Sequence, residues 1–114
     1  MTVREFAEKL KMKIYTGEAG LDREVSGVYI CDLLSWVMSH AAKGDAWITV
    51  LTHLNTVAVA LLAEVSCIVV PEGIPLEEAT VKKAEQEGVA ILGSGLDAYG
   101  ISCLACELGI GRNT

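Results

Sequence analysis

Short β-branched and apolar runs alternate along the chain with segments whose apolar residues follow helical spacing. The strand-like runs cover residues 11–14, 25–31, 46–51, 67–70 and 89–92. The first helical segment begins after Thr2, and the others cover residues 33–42, 54–64, 76–87 and about 97–108. Strands that alternate with helices of about ten residues imply βαβ crossovers and therefore a parallel sheet. We predict an α/β fold of three layers, with a mostly parallel sheet and helices on both of its faces.

The length of 114 residues fits one domain, because domains commonly have about 100–150 residues. In this prediction residues 1–114 form a single domain, in which residues 25–108 supply the core and residues 1–24 a peripheral helix and turn. The spacing of Thr2 and Glu5 matches a capping box, which indicates that the first helix starts there.

Composition and charge exclude several classes of protein and of binding partner. Hydrophobic residues make up 52% and charged residues 21%, which excludes a disordered chain, yet no apolar run reaches the roughly 20 residues of a membrane span. The formal net charge of -6 argues against nucleic acid or an anionic membrane as the main partner, because both bind basic patches. Nothing at the start resembles a secretory signal, so we expect a cytoplasmic location and four cysteines in the thiol form.

Polar residues recur where the predicted central strands end, and in a parallel sheet these ends share one edge. Ligands of open α/β sheets bind at that edge, and the helix start after His53 offers backbone donors to an anion such as phosphate. Asp32 can hold a ribose hydroxyl or a metal. We predict that a small anionic metabolite or nucleotide binds there, on Asp32, Thr52, His53, Asn55, Glu72 and Ser94.

Each of these residues also has a purely structural interpretation. Asp32 and Thr52 stand just before predicted helices, where an N-cap side chain is worth about 0.5–2 kcal/mol. His53 can simply face solvent, since a general base needs a positioned partner. Glu72 and Ser94 lie among the proline and glycine residues of predicted turns.

The motifs of common enzyme classes are missing from the sequence, which has no dinucleotide fingerprint, no Walker-type Gly-Lys-Ser/Thr and no Gly-x-Ser-x-Gly elbow. We therefore expect that the protein is not an enzyme, and the sequence identifies no cofactor. Cys103 and Cys106 are the remaining candidates for chemistry, but they fall inside a helix rather than at its start, where thiol pKa values are lowered. They share a helix face with Tyr99 that can meet a protein partner, whereas a metal site would need more ligands.

Two predicted helices, residues 33–42 and 54–64, are apolar on nearly all sides. A surface helix normally keeps one polar face, as the helix at 76–87 does with its glutamates and lysines. Large exposed apolar patches are unusual on a monomer. We therefore predict a homodimer, and the alternative is that both helices are covered within the three-layer fold.

Three segments resemble the DRTGG-domain family: GVYICDLLSWVM at residues 27–38, DAWITV at 45–50, and HLN at 53–55 before an Ala/Val/Leu helix. The resemblance extends over about residues 25–108. It implies a fold similar to the amino-terminal domain of HPr kinase and a non-catalytic, dimer-forming regulatory or accessory role. The first segment is also similar to small proteins associated with iron-only hydrogenase gene clusters, which implies an alternative function. In that alternative the chain is a redox- or metal-linked partner of a hydrogenase-type system that uses the two helical cysteines.

The sequence departs from the motif that gives the family its name. Thr52-His53 stands where the family has Asp-Arg, and Pro71-Glu72-Gly73 stands where it has Thr-Gly-Gly, so that only the last glycine is kept. The pair Asp22-Arg23 comes before the first central strand, and we interpret it as a turn. The ligand-binding residues of the family therefore cannot be transferred to this chain, and its site has to be argued from its own residues.

Overall fold

The structure, a computed structural model, describes residues 1–110; residues 111–114, which the domain prediction includes, lie outside the described residues. The strands are β1 (Lys13–Ile14), β2 (Gly27–Ile30), β3 (Asp45–Ile48), β4 (Cys67–Val70) and β5 (Ile91–Gly93). The helices are α1 (Val3–Lys9), α2 (Leu34–His40), α3 (Leu54–Ala63), α4 (Glu78–Glu87) and α5 (Ala98–Glu107). Among residues 1–110, none of the helices is long and apolar enough to cross a membrane.

The strands form one sheet with the order β1-β5-β4-β3-β2, in which β2 to β5 are parallel and β1 is antiparallel to β5. Because successive side chains of a strand point to opposite faces, β3 contributes to both apolar layers. Ala46 and Ile48 pack with α1 and α5, whereas Trp47 packs with α2, α3 and α4. The predicted three-layer α/β fold is therefore confirmed.

The first 24 residues contribute to the core, so the prediction that they are peripheral is wrong. Val3 and Phe6 of α1 are fully buried, and Leu21 is buried in the same cluster. Right-handed crossovers from β2 to β5 place α2, α3 and α4 on one face of the sheet. Of the helices in residues 1–110, α5 and α1 are left to cover the other face. The predicted capping box is present, with Thr2 Oγ1 accepting from the Glu5 N–H and the Glu5 carboxylate accepting from the Thr2 N–H.

Helix α2 is shorter than the predicted range of 33–42 because the chain becomes extended at Ala41, with φ -66° and ψ 141°. Asp45 Oδ2 then accepts a hydrogen bond from the Ala42 N–H at 2.8 Å, which fixes the loop that enters β3. Asp45 is buried, and its burial raises the pKa of its carboxyl group. This carboxylate therefore helps to set the amino end of β3.

Candidate functional site

The carboxyl ends of the parallel strands lie along one edge of the sheet, and side-chain hydrogen bonds join the first two of them. Asp32, just after β2, accepts hydrogen bonds through Oδ1 from Thr49 Oγ1 at 2.8 Å and from the Val50 N–H at 2.9 Å. The N-cap position of α2 is Leu33, which forms no side-chain cap. The N-cap interpretation of Asp32 is therefore wrong, because its carboxylate bonds across to the end of β3 instead.

Backbone hydrogen bonds join the ends of β4 and β5. The Glu72 N–H donates to the Leu96 carbonyl at 2.8 Å, and the Gly73 N–H donates to the Ser94 carbonyl at 2.9 Å. Glu72 has a φ of 60°, which is unusual for a residue other than glycine. The turn interpretation thus accounts for the backbone of Glu72 and Ser94, while the Glu72 side chain stays exposed.

Between these two joined pairs lie the starts of α3 and α4. His53 Nδ1 is 3.2 Å from Glu77 Oε2, and the Thr80 hydroxyl donates to the Thr52 carbonyl at 2.8 Å. The N-cap position of α3 is His53 and not Thr52, and its side chain makes no capping hydrogen bond. Asn55 in the first turn is exposed. The first N–H groups of α3 are therefore open to a ligand beside an amide and an imidazole.

Carboxylates determine much of the charge at this carboxyl edge. Asp32 and Glu72 are exposed, and Glu77 lies against His53, whose side chain is 70% exposed. An exposed contact of this kind contributes at most about 1 kcal/mol, so a ligand can separate it at low cost. Asp32 Oδ2 has no hydrogen bond to the described residues and can accept one from a hydroxyl group. The edge therefore offers acceptors for hydroxyl groups next to donors for an anion.

Sequence reasoning missed one cation near this edge, Lys13. Because β1 runs antiparallel to the other strands, its first residue pairs with Gly93, at the carboxyl end of β5. The Lys13 ammonium lies 4.6 Å from the centre of the Tyr15 ring. A search for polar residues after the end of each strand does not find Lys13, because Lys13 is the first residue of its strand. It could have been found only if β1 had been predicted to run antiparallel to the other strands.

The described residues contain two contacts of the kind that nucleophilic enzymes use, and neither is arranged for catalysis. Ser39 Oγ is 2.8 Å from His40 Nδ1, but this nitrogen is also 3.1 Å from the Trp36 carbonyl. Nδ1 must carry a proton to bond a carbonyl, and it then cannot accept the proton of serine. His53, the other imidazole, faces a carboxylate and no hydroxyl or thiol of the described residues.

The four cysteines are free thiols, and no group of three or more metal-ligating side chains occurs in residues 1–110. Cys67 is fully buried, and its burial raises the pKa of the thiol to about 12, which makes it unreactive. Cys106 is exposed and Cys103 is half-buried, whereas Ile101 of the same helix is fully buried. Whether these two cysteines have a function stays a prediction.

A cleft of about 690 Å³ lies at the opposite edge of the sheet, where the strands begin. None of its residues was predicted as a site, and Asp22-Arg23 was interpreted only as a turn. The cleft is lined by Arg23, Glu24, Ser26, Lys43, Gly44, Leu61, Glu64, Val65 and Ser66. It therefore brings an arginine and a lysine together in an otherwise acidic protein.

Comparison with known proteins places this architecture in a family. The model of the DRTGG domain matches residues 5–106. Among solved structures, the chain is similar to the CBS and DRTGG domains of the regulatory region of Clostridium perfringens pyrophosphatase, a structure complexed with the activator diadenosine tetraphosphate. The TM-score is 0.73 and the sequence identity 13%, over 90% of this chain and 45% of the other.

At this identity the likeness to the pyrophosphatase region shows a common fold, and the chain spans less than half the length of that neighbour. No curated protein matches the sequence significantly. The family model, in contrast, extends from α1 into α5 and includes every strand of the sheet. The chain belongs to the DRTGG domain family.

Proposed function

We propose that this chain is a non-catalytic regulatory domain that binds a small anionic metabolite or nucleotide at the carboxyl edge of its sheet and acts as a homodimer. The observation that supports the site best is the open start of α3, where neither Thr52 nor His53 caps the helix with its side chain. A similar fold occurs in a regulatory region that was crystallised with a nucleotide activator. That likeness supports the regulatory role and the class of ligand.

The mixed charge of the edge favours a nucleotide over a small dianion such as phosphate. The phosphate groups need donors, which the N–H groups at the start of α3, the Asn55 amide and the His53 imidazole supply. The sugar hydroxyls need acceptors, which the carboxylates of Asp32 and Glu72 supply. Inorganic phosphate has no sugar hydroxyls, so it uses only the donors of the edge and leaves the carboxylates of Asp32 and Glu72 without a partner from the ligand.

The binding proposal is tested by titrating the ¹⁵N-labelled chain with diadenosine tetraphosphate and following the amide resonances. We expect shifts at residues 52–55 and a dissociation constant that rises at least about tenfold in the double variant His53→Ala/Asn55→Ala, because two donors to a charged group are lost. The control is His40→Ala/Gln86→Ala, which removes the same chemical groups from exposed positions on α2 and α4. Binding that is equally weakened in both double variants would contradict the proposed site.

The dimer proposal depends on the outer surfaces of α2 and α3. Leu54, Ala58 and Leu62 recur every four residues on the outer side of α3, and all three are exposed, Leu62 at 71%. On α2, Trp36 is 51% exposed, and Leu33 just before the helix is 60% exposed. The three-layer fold therefore leaves apolar side chains of both helices in water, where a second copy can cover them.

Sedimentation velocity of the wild type and of Leu62→Glu tests the dimer. We expect a dimer for the wild type and a monomer for the variant, because a buried unpaired carboxylate in the interface strongly opposes association. Lys82→Glu on the charged outer side of α4 is the control and is expected to remain dimeric. A monomeric wild type at micromolar concentration, or a dimeric Leu62→Glu, would contradict the proposal.

A further inference from the structure

The cleft at the amino edge of the sheet is built by backbone that cannot easily move. The Ser26 N–H donates to the Gly44 carbonyl at 3.0 Å, and the Gly44 N–H donates to the Glu64 carbonyl at 2.9 Å. Gly44 has a φ of 87°, and a Cβ at this position would clash with Ser26 Oγ. The loops before β2 and β3 are thus held against the end of α3, and the cleft between them has a fixed floor.

Two cationic side chains enter this cleft with little to hold them. Among the described residues, Arg23 Nη1 has one polar contact, at 3.5 Å from the Val65 carbonyl, which is at the outer limit of a hydrogen bond. Lys43 Nζ is 3.7 Å from Glu64 Oε2, and its side chain is 82% exposed. A surface pair of this geometry contributes about 0–1 kcal/mol. Most of the N–H donors of both groups are therefore free to bind an incoming anion.

The two carboxylates of the cleft balance its two cations in formal charge, but each carboxylate already has a cationic partner. Glu24 Oε2 is 3.1 Å from the amino group of Met1, and Glu64 is the partner of Lys43. Arg23 is the one cationic side chain of the cleft without an acidic partner among the described residues. If Arg23 had only the structural role of bonding the Val65 carbonyl next to the end of α3, it would use one of the five N–H donors of its guanidinium group.

We infer that this cleft binds the phosphate group of a small organic phosphate monoester, at a site separate from the carboxyl edge. Arg23 and Lys43 line the cleft from different loops, and the two negative charges of a phosphate monoester match these two cations better than the single charge of a carboxylate does. The organic part lies against the apolar side chain of Leu61, which is partly exposed and lines the cleft. A volume of about 690 Å³ is within the range of small-molecule sites and exceeds what a bare phosphate needs.

The experiment is a titration of the ¹⁵N-labelled full chain with adenosine monophosphate, in which the amide resonances are followed by NMR. Adenosine and inorganic phosphate, the two parts of this ligand, are titrated separately. We expect shifts at Ser26, Gly44 and Ser66, and a dissociation constant that rises at least about tenfold in Arg23→Gln and separately in Lys43→Gln. Lys82→Gln, which removes an equal charge from the exposed side of α4, should bind as the wild type does. If Arg23→Gln fails to fold, Lys43→Gln decides, because its side chain is largely exposed.

Each result has one meaning. Shifts at the amino edge that persist unweakened in both Gln variants, or no shifts there at millimolar adenosine monophosphate, would overturn the inference. Inorganic phosphate that binds as tightly as the monoester would overturn the role of Leu61. Shifts confined to residues 52–55 would overturn this site while supporting the proposed function. Shifts confined to the cleft would support this site alone, and the titration with diadenosine tetraphosphate decides the proposed function separately.

Discussion

Removal of the Asp32 carboxylate tests whether this residue holds the ends of β2 and β3 together. Its Oδ1 accepts one hydrogen bond from Thr49 Oγ1 and one from the Val50 N–H. Hydrogen bonds to charged groups contribute about 1.5–3 kcal/mol each, and because Asp32 is exposed we take about 1 kcal/mol for each bond. Asp32→Ala should therefore lower the free energy of unfolding by about 2 kcal/mol. Asp32→Asn keeps the acceptor oxygen and should lose about half as much.

Urea unfolding followed by the fluorescence of Trp47 measures this loss. Trp47 is fully buried, and its Nε1 donates to the Cys31 carbonyl at 2.9 Å, one residue before Asp32. The background variant Trp36→Phe removes the exposed indole, so that Trp47 reports alone. Asp22→Ala is the control, because the Asp22 side chain is 92% exposed and has only a 3.5 Å contact with an arginine. Equal unfolding free energies for Asp32→Ala and Asp22→Ala would refute the reasoning.

Three further predictions concern other parts of the fold. Burial raises the pKa of Asp45, so the folded state binds the proton of its carboxyl group more tightly than the unfolded state does. The stability that comes from this protonation is lost as the pH rises through the raised pKa. Asparagine does not titrate, so the unfolding free energy of Asp45→Asn should rise relative to that of the wild type as the pH increases from about 3.5 to about 7. Urea unfolding at several pH values measures this difference, and a difference that does not change with pH would contradict the prediction. Cys106 should react with iodoacetamide in the native protein while Cys67 stays unmodified by mass spectrometry, and equal rates would show that Cys67 is accessible. Thr2→Ala should cost about 1 kcal/mol in thermal unfolding through loss of the capping box, and an unchanged melting temperature would mean that α1 needs no cap.

The regular elements could be predicted from the sequence because each has its own hydrophobic pattern. The observed β4 coincides with the predicted run of 67–70, and α3 differs from the predicted 54–64 by one residue. The importance of α1 could not be predicted in this way, since it follows from the crossovers. With α2, α3 and α4 on one face of the sheet, Val3 and Phe6 are needed on the other.

The candidate sites show the same limit. The rule that ligands bind after parallel strands brought Asp32, His53 and Glu72 to one edge, where the structure places them. It could not give the partner of Asp32, which is Thr49, 17 residues away. Nor could it find the cleft of Arg23, because that cleft is formed by loops that precede the strands and meet only in the folded chain.

Native mass spectrometry of the chain with diadenosine tetraphosphate tests the central claim, a regulatory domain that binds a nucleotide as a dimer. We predict a dimer whose mass includes the nucleotide, and loss of that added mass in His53→Ala/Asn55→Ala while the dimer remains. A chain that stays free of nucleotide at millimolar concentration, or that binds it equally well without His53 and Asn55, would contradict the account.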